Sequence, residues 1–328
     1  MKLLITGGDG FIGSNFILHT LTKFPKFEII NLDGGYYGSN KLNLDSILDY
    51  DNYKFVKGNI NDSTIVDNLV SESDAVINFA AESFVDRSIA NAKPFLSSNI
   101  HGVFTLLESI KKHKKKFLQI STDEVFGSLK KKSASETFQY NPSSPYAATK
   151  ASAEMLVNSY HVTYDCDTLI TRCTNNYGPR QFPEKLIPKI VILAKNNKKI
   201  PVYGTGNNVR DWLYVIDHCD AILSCLHHGK SGESYNISSG NEIDNITIIK
   251  KILLIMNKSE DLIEFVDDRP GHDFRYSLNS QKLQKELGWK SKTTFKTGIE
   301  NTVNWYLNNP KWWENMSESI FEHTPWRK

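Results

Sequence analysis

Short apolar runs alternate with longer amphipathic segments through the first half of the chain. The runs at residues 2–6, 27–32, 53–56, 75–79 and 117–120 are each followed by a polar turn and a stretch with helical periodicity. Short apolar runs bounded by turn residues predict buried strands, and strands that alternate with helices predict parallel pairing. The pattern therefore predicts an α/β fold, a doubly wound parallel (Rossmann) sheet.

The second half is less regular and predicts a smaller mixed α/β substrate domain at the C-terminus. We expect a strand at 167–173, an edge strand at 200–204, segments at 215–218 and 235–237 that return to the first domain, and helices at 246–256 and 281–287 that cap the small domain. The predicted first domain is 1–174, with a returning segment of about 209–240. Residues 175–208 and 241–328 form the predicted second domain.

Composition narrows the classes of function. The chain has 328 residues, enough for one large domain or two unequal ones, and 39 basic against 37 acidic residues. Its lysine-rich runs at 111–116 and 130–132 lack interleaved aromatic residues, so we expect no nucleic-acid binding. No apolar run approaches the roughly 20 residues of a membrane span. Four cysteines without metal-site spacing, and no secretory signal, favour a soluble cytoplasmic protein without a metal site.

A glycine-rich turn follows the first strand directly. Gly7, Gly10 and Gly13 have the spacing of a dinucleotide-binding loop that opens a helix. Small residues let the backbone approach a pyrophosphate, and the first N–H groups of the helix, from Phe11 and Ile12 onward, are free to bind it. Asp33 ends the second strand, where a carboxylate accepts bonds from the adenosine ribose and repels a 2′-phosphate. The sequence predicts NAD rather than NADP as the cofactor.

Residues that follow the later strands extend the predicted cofactor site. Asn59 and Ile60 are placed to contact adenine. The small residues Ala80 and Ala81, with Ser83, leave room for the nicotinamide ribose. Asn99 is expected to open the next helix, either as a cofactor contact or merely as a cap.

Four side chains suggest acid–base chemistry at the same edge of the sheet. Tyr146 and Lys150 lie four residues apart on a helix predicted to begin at Pro145, and so share one face. An ammonium beside the phenol lowers its pKa from about 10, which favours proton removal from a sugar hydroxyl. Asp123 and Glu124 follow the strand at 117–120. Either pair alone is common by chance, and the interpretation depends on the glycine turn that precedes them.

The chain resembles the extended short-chain dehydrogenase/reductases and, among them, the dTDP-glucose 4,6-dehydratases. The glycine turn and Tyr-x-x-x-Lys are common to the whole superfamily. More specific motifs span almost the whole chain in the family's order. They are Ala-Ala-Glu-Ser at 80–83 and the segment 85–89 after it, Ser-Thr-Asp-Glu-Val-Phe-Gly at 121–127, Asn-Asn-Tyr-Gly-Pro at 175–179 and the segment 181–188, Arg-Asp-Trp-Leu at 210–213 and the pair 217–218, and Asp-Arg-Pro-Gly-His-Asp at 268–273 and the pair 275–276. Epimerases and decarboxylases of this fold resemble the first half and usually carry small residues after position 122.

The resemblance implies NAD as cofactor, a nucleotide-sugar substrate, dTDP-glucose above others, and a homodimer built through the helices after Asn99 and at 146–160. In the implied reaction, Tyr146, assisted by Lys150 and hydrogen-bonded through Thr122, deprotonates the C4 hydroxyl and hydride passes to NAD. Glu124 then removes the C5 hydrogen, Asp123 protonates the departing C6 hydroxyl, and hydride returns to C6. The alternatives are the same dehydration of UDP-glucose or another nucleotide sugar, a 4-epimerase of this fold, or a binding protein that keeps NAD as a structural ligand.

The resemblance also implies further contacts and shows departures from the family pattern. Phe84 stands where the dehydratases usually have histidine, and Asn59 where they have aspartate. Arg210 and Arg269 are the candidates for the diphosphate, and His218 is expected to be structural. The resemblance places Asn40, Ser121, Tyr146 and Lys150 on the cofactor. The implied substrate contacts are Ser83, Asp86, Thr122, Asn176, Lys185, Leu186, Pro201, Tyr203, Arg210, Asn245, Arg269 and His272.

Overall fold

A computed structural model describes residues 1–321 of the chain. The strands, in chain order, are β1 Lys2–Thr6, β2 Glu28–Asp33, β3 Tyr53–Lys57, β4 Ala75–Asn78, β5 Lys116–Thr122, β6 Thr168–Cys173, β7 Asn175–Tyr177, β8 Ile200–Tyr203, β9 Val209–Tyr214, β10 Ser234–Ile237, β11 Glu242–Asp244 and β12 Ile263–Val266. The apolar runs read from the sequence thus form strands, with ends that differ by one or two residues.

The α-helices alternate with these strands in the first half of the chain. They are α1 Phe11–Lys23, α2 Ser63–Ser71, α3 Val85–Ala90, α4 Lys93–Leu96, α5 Val103–His113, α6 Pro145–Tyr164, α7 Leu186–Lys195, α8 Val215–His228, α9 Asn245–Ile255, α10 Gln281–Leu287 and α11 Phe295–Asn308. Among the described residues, no helix has the length and apolar character that crossing a membrane requires.

Seven parallel strands form the central sheet, in the order β10-β6-β5-β4-β1-β2-β3. The chain moves from β1 outward through β2 and β3, and then returns to place β4 on the other side of β1. This reversal opens a crevice at the carboxyl ends of β1 and β4, where ligands of such sheets bind. The predicted doubly wound parallel sheet is confirmed.

Both faces of the sheet are covered because its strands are apolar on both sides. Leu3 and Ile5 join a buried core with Phe16 of α1, whereas Leu4 joins the opposite core with Leu106 of α5. Side chains alternate across a strand, so neighbouring apolar residues serve both cores. Helices α1 and α8 pack together on one face, and α2, α5 and α6 on the other.

A second core lies beside the sheet. A three-stranded sheet, β11-β9-β7, and the pair β12-β8 pack with α7, α9 and α11. The aromatic residues Trp312 and Trp313 are buried in this core.

One expectation for the second half needs correction. Helix α10 does not cap the smaller part: Leu283 is buried in the core of the central sheet, and the helix packs against β10 and α8. The segment at 215–218 is the first turn of α8, which packs against α1 and joins the core of the central sheet, as expected. The preceding strand β9 pairs with β7 and β11, and β10 then pairs with β6 in the central sheet.

Candidate active site

The glycine turn after β1 packs backbone against backbone. Gly7 has φ +72°, and a Cβ there would lie 2.6 Å from the Ala80 nitrogen. A Cβ at Gly13 would lie 2.4 Å from the Gly7 oxygen. The N-cap of α1 is Gly10, which offers no side chain to bond the first N–H groups of the helix. Those groups face a cavity of about 450 Å³ at the carboxyl edge of the sheet.

Asp33, at the end of β2, is held by two backbone donors. Its Oδ1 accepts the Gly35 N–H at 2.8 Å and its Oδ2 accepts the Asp9 N–H at 3.0 Å. Burial raises the pKa of Asp33, and the two N–H groups act in the opposite direction. The carboxylate is thus fixed at the cavity wall, and each oxygen keeps a free lone pair for a ribose hydroxyl.

The cavity brings together most of the residues that the sequence predicted. Its lining contains the turn and start of α1, the ends of β2, β4 and β5, and the start of α6. The predicted residues on it are Gly7, Gly10, Phe11, Ile12, Gly13, Asp33, Asn59, Ile60, Ala80, Ala81, Ser83, Ser121, Thr122, Asp123, Glu124, Tyr146, Lys150, Asn176 and Lys185.

Two predicted cofactor residues lie off the cavity lining and bond other segments of the chain. Asn99 is buried inside a π-helical turn, Ser97–Gly102, so it neither opens nor caps a helix. Its amide bonds both the N–H and the carbonyl of Glu82 and the hydroxyl of Thr149. Asn40 caps a 3-10 turn through the Leu42 N–H, and its amide donates to the Trp312 carbonyl at 3.2 Å. The contact of either residue with the cofactor stays a prediction.

Helix α6 delivers the tyrosine and lysine to the cavity. Ser144 is its N-cap and accepts the Ala147 N–H at 3.1 Å, and Pro145 occupies the first turn. Proline is favoured there because the N–H it lacks would have had no partner in the helix. The predicted helix start is confirmed, and Tyr146 and Lys150 are both buried.

The electrostatics of this pair differ from the sequence expectation. Lys150 Nζ donates to the Ile120 carbonyl at 2.6 Å, and burial lowers its pKa to about 8. The pKa of Tyr146 is raised well above 10, by burial and then by the charge of Glu124, while a hydrogen bond with Thr122 acts in the opposite direction. The predicted lowering of the phenol pKa is therefore wrong for this site, because burial and the charge of Glu124 raise that pKa.

Asp123 and Glu124 occupy a 3-10 turn after β5 and have different surroundings. Asp123 Oδ1 accepts the Thr122 hydroxyl at 3.2 Å, and its buried Oδ2 has no hydrogen-bond partner within residues 1–321. Burial and then the Glu124 charge raise the pKa of Asp123 well above its usual range. Burial also raises the pKa of Glu124, but Arg269 and Lys185 oppose it. Asp123 is thus the better proton donor and Glu124 the better base.

Several predicted substrate residues form a polar cluster next to the cavity. Arg269 Nη1 donates to Asp86 Oδ1 at 2.7 Å, and the Tyr203 hydroxyl donates to Asp86 Oδ2 at 3.2 Å. Lys185 Nζ donates to the Ser83 carbonyl at 2.8 Å and lies 4.5 Å from the centre of the Phe84 ring. This cluster places two cations beside the cavity.

The remaining predicted substrate residues have mixed placements. Arg210 donates to backbone carbonyls, among them that of Asp273 at 2.9 Å, and its guanidinium lies over the Tyr276 ring. Asn176 Oδ1 lies 2.9 Å from His218 Nδ1, so the buried histidine orients it. Off the cavity lining are Asn40, Asp86, Asn99, Leu186, Pro201, Tyr203, Arg210, Asn245, Arg269 and His272.

Some lining residues were missed as individual contacts. Asn175 lies on the cavity with a buried side-chain oxygen that has no partner among the described residues. Its signal was present in the Asn-Asn-Tyr-Gly-Pro motif, but the sequence favoured the second asparagine. Tyr36 and Tyr37 also line the cavity, and the Asn59 amide donates to the Tyr36 hydroxyl at 2.7 Å.

Comparison with known proteins places this geometry in a family. The profile of the family described as GDP-mannose 4,6 dehydratase matches residues 4–302. The chain is 48% identical over 310 residues to the low-salt glycan biosynthesis protein Agl12 of Haloferax volcanii, covering 94% of this chain and 99% of that protein. It is 44% identical over 321 residues to the dTDP-glucose 4,6-dehydratase of Streptomyces niveus, covering 96% of each.

Solved structures separate two groups of neighbours. The dTDP-glucose 4,6-dehydratase of Bacillus anthracis in complex with NAD has a TM-score of 0.90 and 45% identity, covering 96% of this chain and 99% of that one. The UDP-glucuronic acid 4-epimerase of Bacillus cereus has a TM-score of 0.89 but 27% identity, covering 94% and 99%. The shared fold does not distinguish them, but sequence identity does. The chain therefore belongs to the GDP-mannose 4,6-dehydratase family, and within it is more similar to dTDP-glucose 4,6-dehydratases than to epimerases of the same fold.

Proposed function

We propose that the chain converts dTDP-glucose to dTDP-4-keto-6-deoxyglucose, a loss of one water with no net oxidation. The observation that carries this proposal is the pair Asp123 and Glu124 on the same cavity as Tyr146. Burial and the charge of Glu124 raise the pKa of Asp123 well above its usual range, which suits an acid that assists departure of a hydroxyl. An epimerase or a simple dehydrogenase has no elimination step that would use this acid.

The residues around the glycine turn fit NAD. Gly7 and Gly13 let the turn pack closely against its own backbone and Ala80, and the start of α1 offers free N–H groups to a pyrophosphate. Asp33 would bind the adenosine ribose, and Ala80 and Ala81 would lie against the nicotinamide ribose. NAD, when bound, would supply the hydride acceptor and donor of the reaction.

The acid–base steps are assigned to the chain's own residues. Tyr146, hydrogen-bonded with Thr122 and supported by the Lys150 ammonium, is assigned the proton of the C4 hydroxyl. Because burial and Glu124 raise its pKa in the protein alone, this role requires that the positive charge of bound oxidised NAD lower that pKa. The ketone formed at C4 acidifies C5, and Glu124 accepts the C5 proton. Asp123 gives its proton to the C6 hydroxyl, which departs as water. Return of a proton to C5, as hydride reaches C6, restores Glu124. Tyr146 releases the proton that it took from the C4 hydroxyl, and Asp123 regains one by exchange with solvent, so the protons balance.

The substrate would lie between the cavity and the polar cluster beside it. Lys185, Arg210 and Arg269 are the proposed contacts of the diphosphate, since guanidinium groups bond its oxygens in pairs. Tyr203 is the proposed partner of the nucleotide base. In this assignment residues 1–174 and about 209–240 hold NAD, and 175–208 and 241–328 hold the sugar nucleotide. Residues 322–328 lie outside the described part of the chain.

The proposal also includes a cytoplasmic homodimer. Leu96, Phe104 and Met155 are exposed apolar residues on α4, α5 and α6, which is the helical region expected to form the interface. The four cysteines are buried and unpaired, which suits a reducing compartment.

The test is parallel incubation with dTDP-glucose and UDP-glucose, each with NAD, followed by mass spectrometry. Loss of one water from the dTDP sugar without accumulation of NADH is the expected result. Loss from the UDP sugar alone would keep the mechanism and change the substrate. An unchanged mass with both sugars would contradict the proposal, and conversion to an isomer would indicate an epimerase.

A further inference from the structure

A buried ion pair lies directly behind the carboxyl end of β5. Glu154 of α6 is 0% exposed and Arg172 of β6 is 2% exposed. Arg172 Nη2 and Nε donate to Glu154 Oε2 at 2.6 and 2.8 Å, and Nε also reaches Oε1 at 3.1 Å. No step of the proposed reaction uses either residue.

The carboxylate of Glu154 is connected to the cavity wall. The Ser121 hydroxyl donates to Glu154 Oε1 at 2.5 Å, and the Tyr140 hydroxyl donates to Oε2 at 2.8 Å. Ser121 lines the cavity and pairs with Arg172 in the register of β5 and β6. A shift of Glu154 would therefore be transmitted to the strand end that carries Thr122.

Glu154 also shares a helix face with the proposed catalytic pair. Tyr146, Lys150 and Glu154 follow one another at four-residue intervals on α6, so their side chains are stacked along one face. Burial lowers the pKa of Lys150 to about 8, and the Glu154 carboxylate is the largest influence in the opposite direction. Arg172, on the neighbouring strand, offsets part of that negative charge.

Stability alone does not account for this pair. Replacement of a buried ion pair by apolar residues of similar size is often neutral or stabilising, because desolvation of the two charges is costly. Aromatic rings flank the pair, including that of Phe126, whose ring centre lies 5.1 Å from the guanidinium. The polar groups in contact with the pair are the Ser121 and Tyr140 hydroxyls and the Glu136 carbonyl. A charged pair in this position therefore calls for a role beyond packing.

We propose that Glu154 is a positioning residue for the reaction: oriented by Arg172, its carboxylate fixes the end of β5 through Ser121 and places a negative charge beside Lys150. This inference rests on the proposed function, in which the Lys150 ammonium supports Tyr146. The charged and titratable groups that act on Lys150 are Glu154 on α6 and Cys173 on β6. Tyr146 lies one turn before Lys150 on α6, and Arg172 is bonded to Glu154. Asp123 acts on Cys173, and Glu124 acts on Tyr146.

Three variants separate charge from packing. Glu154→Gln leaves a positive charge next to Lys150, Arg172→Gln leaves a negative charge, and the double variant leaves the local charge as in the original chain. We expect the alkaline limb of the pH profile of kcat to move down by about 1 pH unit or more in Glu154→Gln and up in Arg172→Gln. The reason is that a neighbouring charge shifts the pKa of an amine such as that of Lys150 by about this much. The double variant is the matched control, and the alkaline limb of its pH profile should lie near that of the original chain.

A second readout makes the outcome independent of turnover. Competitive acetylation with acetic anhydride across pH, read on the Lys150 peptide by mass spectrometry, reports the titration of this amine in the NAD-loaded protein without a sugar substrate. The pKa of Lys150 is expected to fall in Glu154→Gln, to rise in Arg172→Gln and to stay near its original value in the double variant. If the variants lose thermal stability or activity while the Lys150 titration stays fixed, the pair is structural and the inference is overturned. If Lys150 titrates as expected but no dehydration is found in the original chain, the proposed function fails and the charge relationship stands.

Discussion

Asp33 Oδ2 accepts the backbone N–H of Asp9 at 3.0 Å, which joins two acidic residues beside the glycine turn. The Asp9 carboxyl is buried and accepts the Asn31 amide at 2.9 Å. Burial, and then the charge of Asp33, raise the pKa of Asp9 from 3.8 to about 6. The folded chain therefore binds a proton at Asp9 more tightly than the unfolded chain does.

This relationship predicts a pH-dependent gain in stability for Asp9→Asn. Above about pH 6 the folded state must hold an ionised Asp9, so the free energy of unfolding falls as pH rises from about 4 to about 6. The asparagine keeps the bond from Asn31 without the charge and should gain up to about 3 kcal/mol near neutral pH. Thermal unfolding of the variant and the original chain at about pH 8 and about pH 4 measures this gain in stability. An equal gain at both pH values would contradict the electrostatic cause.

Asp33→Ser should weaken NAD binding and reduce the discrimination against NADP. A hydrogen bond to a charged group contributes about 1.5–3 kcal/mol, so the affinity for NAD should fall by roughly 10- to 100-fold. Titration calorimetry with both cofactors measures the change. Asp49→Ser, at an exposed aspartate, is the control and should leave both affinities unchanged. Unaltered NAD affinity in Asp33→Ser would place the ribose elsewhere.

Gly13→Ala should lose NAD binding more severely than Gly10→Ala. The added methyl group at position 13 would lie 2.4 Å from the Gly7 carbonyl oxygen, whereas at position 10 the nearest atom is 3.2 Å away. The first contact forces the turn to move, while the second needs a shift of a few tenths of an ångström. Cofactor titration and thermal unfolding of both variants test this order. Equal effects would show that the turn is not packed as the structure has it.

Tyr146→Phe should reduce kcat by about 10²- to 10⁴-fold, the usual contribution of a positioned acid or base. The ring packs edge-on against Phe95, so the variant should fold and still bind NAD. Tyr164→Phe, on an exposed tyrosine of the same helix, is the matched control. Full turnover in Tyr146→Phe would remove this residue from the reaction.

Asp123→Asn and Glu124→Gln should stop the reaction at different steps. Both variants should still reduce the cofactor on addition of dTDP-glucose, because oxidation at C4 needs neither carboxyl. In heavy water, Asp123→Asn should exchange the C5 hydrogen yet lose water about 10²- to 10⁴-fold more slowly, and Glu124→Gln should not exchange it. Mass spectrometry reports both events. Exchange in Glu124→Gln would assign the C5 base to another group.

The sequence predicted the elements of the central sheet because local signals agree there with the global fold. The strand–glycine–helix unit around Gly7 and the Ser144–Pro145 start of α6 depend on nearby residues, and the structure has them where expected. Placement of α10 failed because its amphipathic pattern shows that it has a buried face but not which core receives it.

The electrostatics were the least predictable part of the site. The i to i+4 spacing of Tyr146 and Lys150 was read correctly, but the raised pKa of Tyr146 comes from burial and from Glu124, which is remote in sequence. Asn99 was misread for a similar reason, since its partners Glu82 and Thr149 are brought to it by tertiary packing. Side-chain partners that come from distant segments have no local signature.

The position of β10 has a consequence for synthesis on the ribosome. The outer edge of β6, a strand that is buried along its whole length, stays unpaired until residues 234–237 have been made and can align beside it. An open edge of this kind is a template for pairing with other nascent chains. A fragment that ends near residue 174 would carry the glycine turn and most of the sheet, yet it should aggregate rather than fold as a separate cofactor-binding unit.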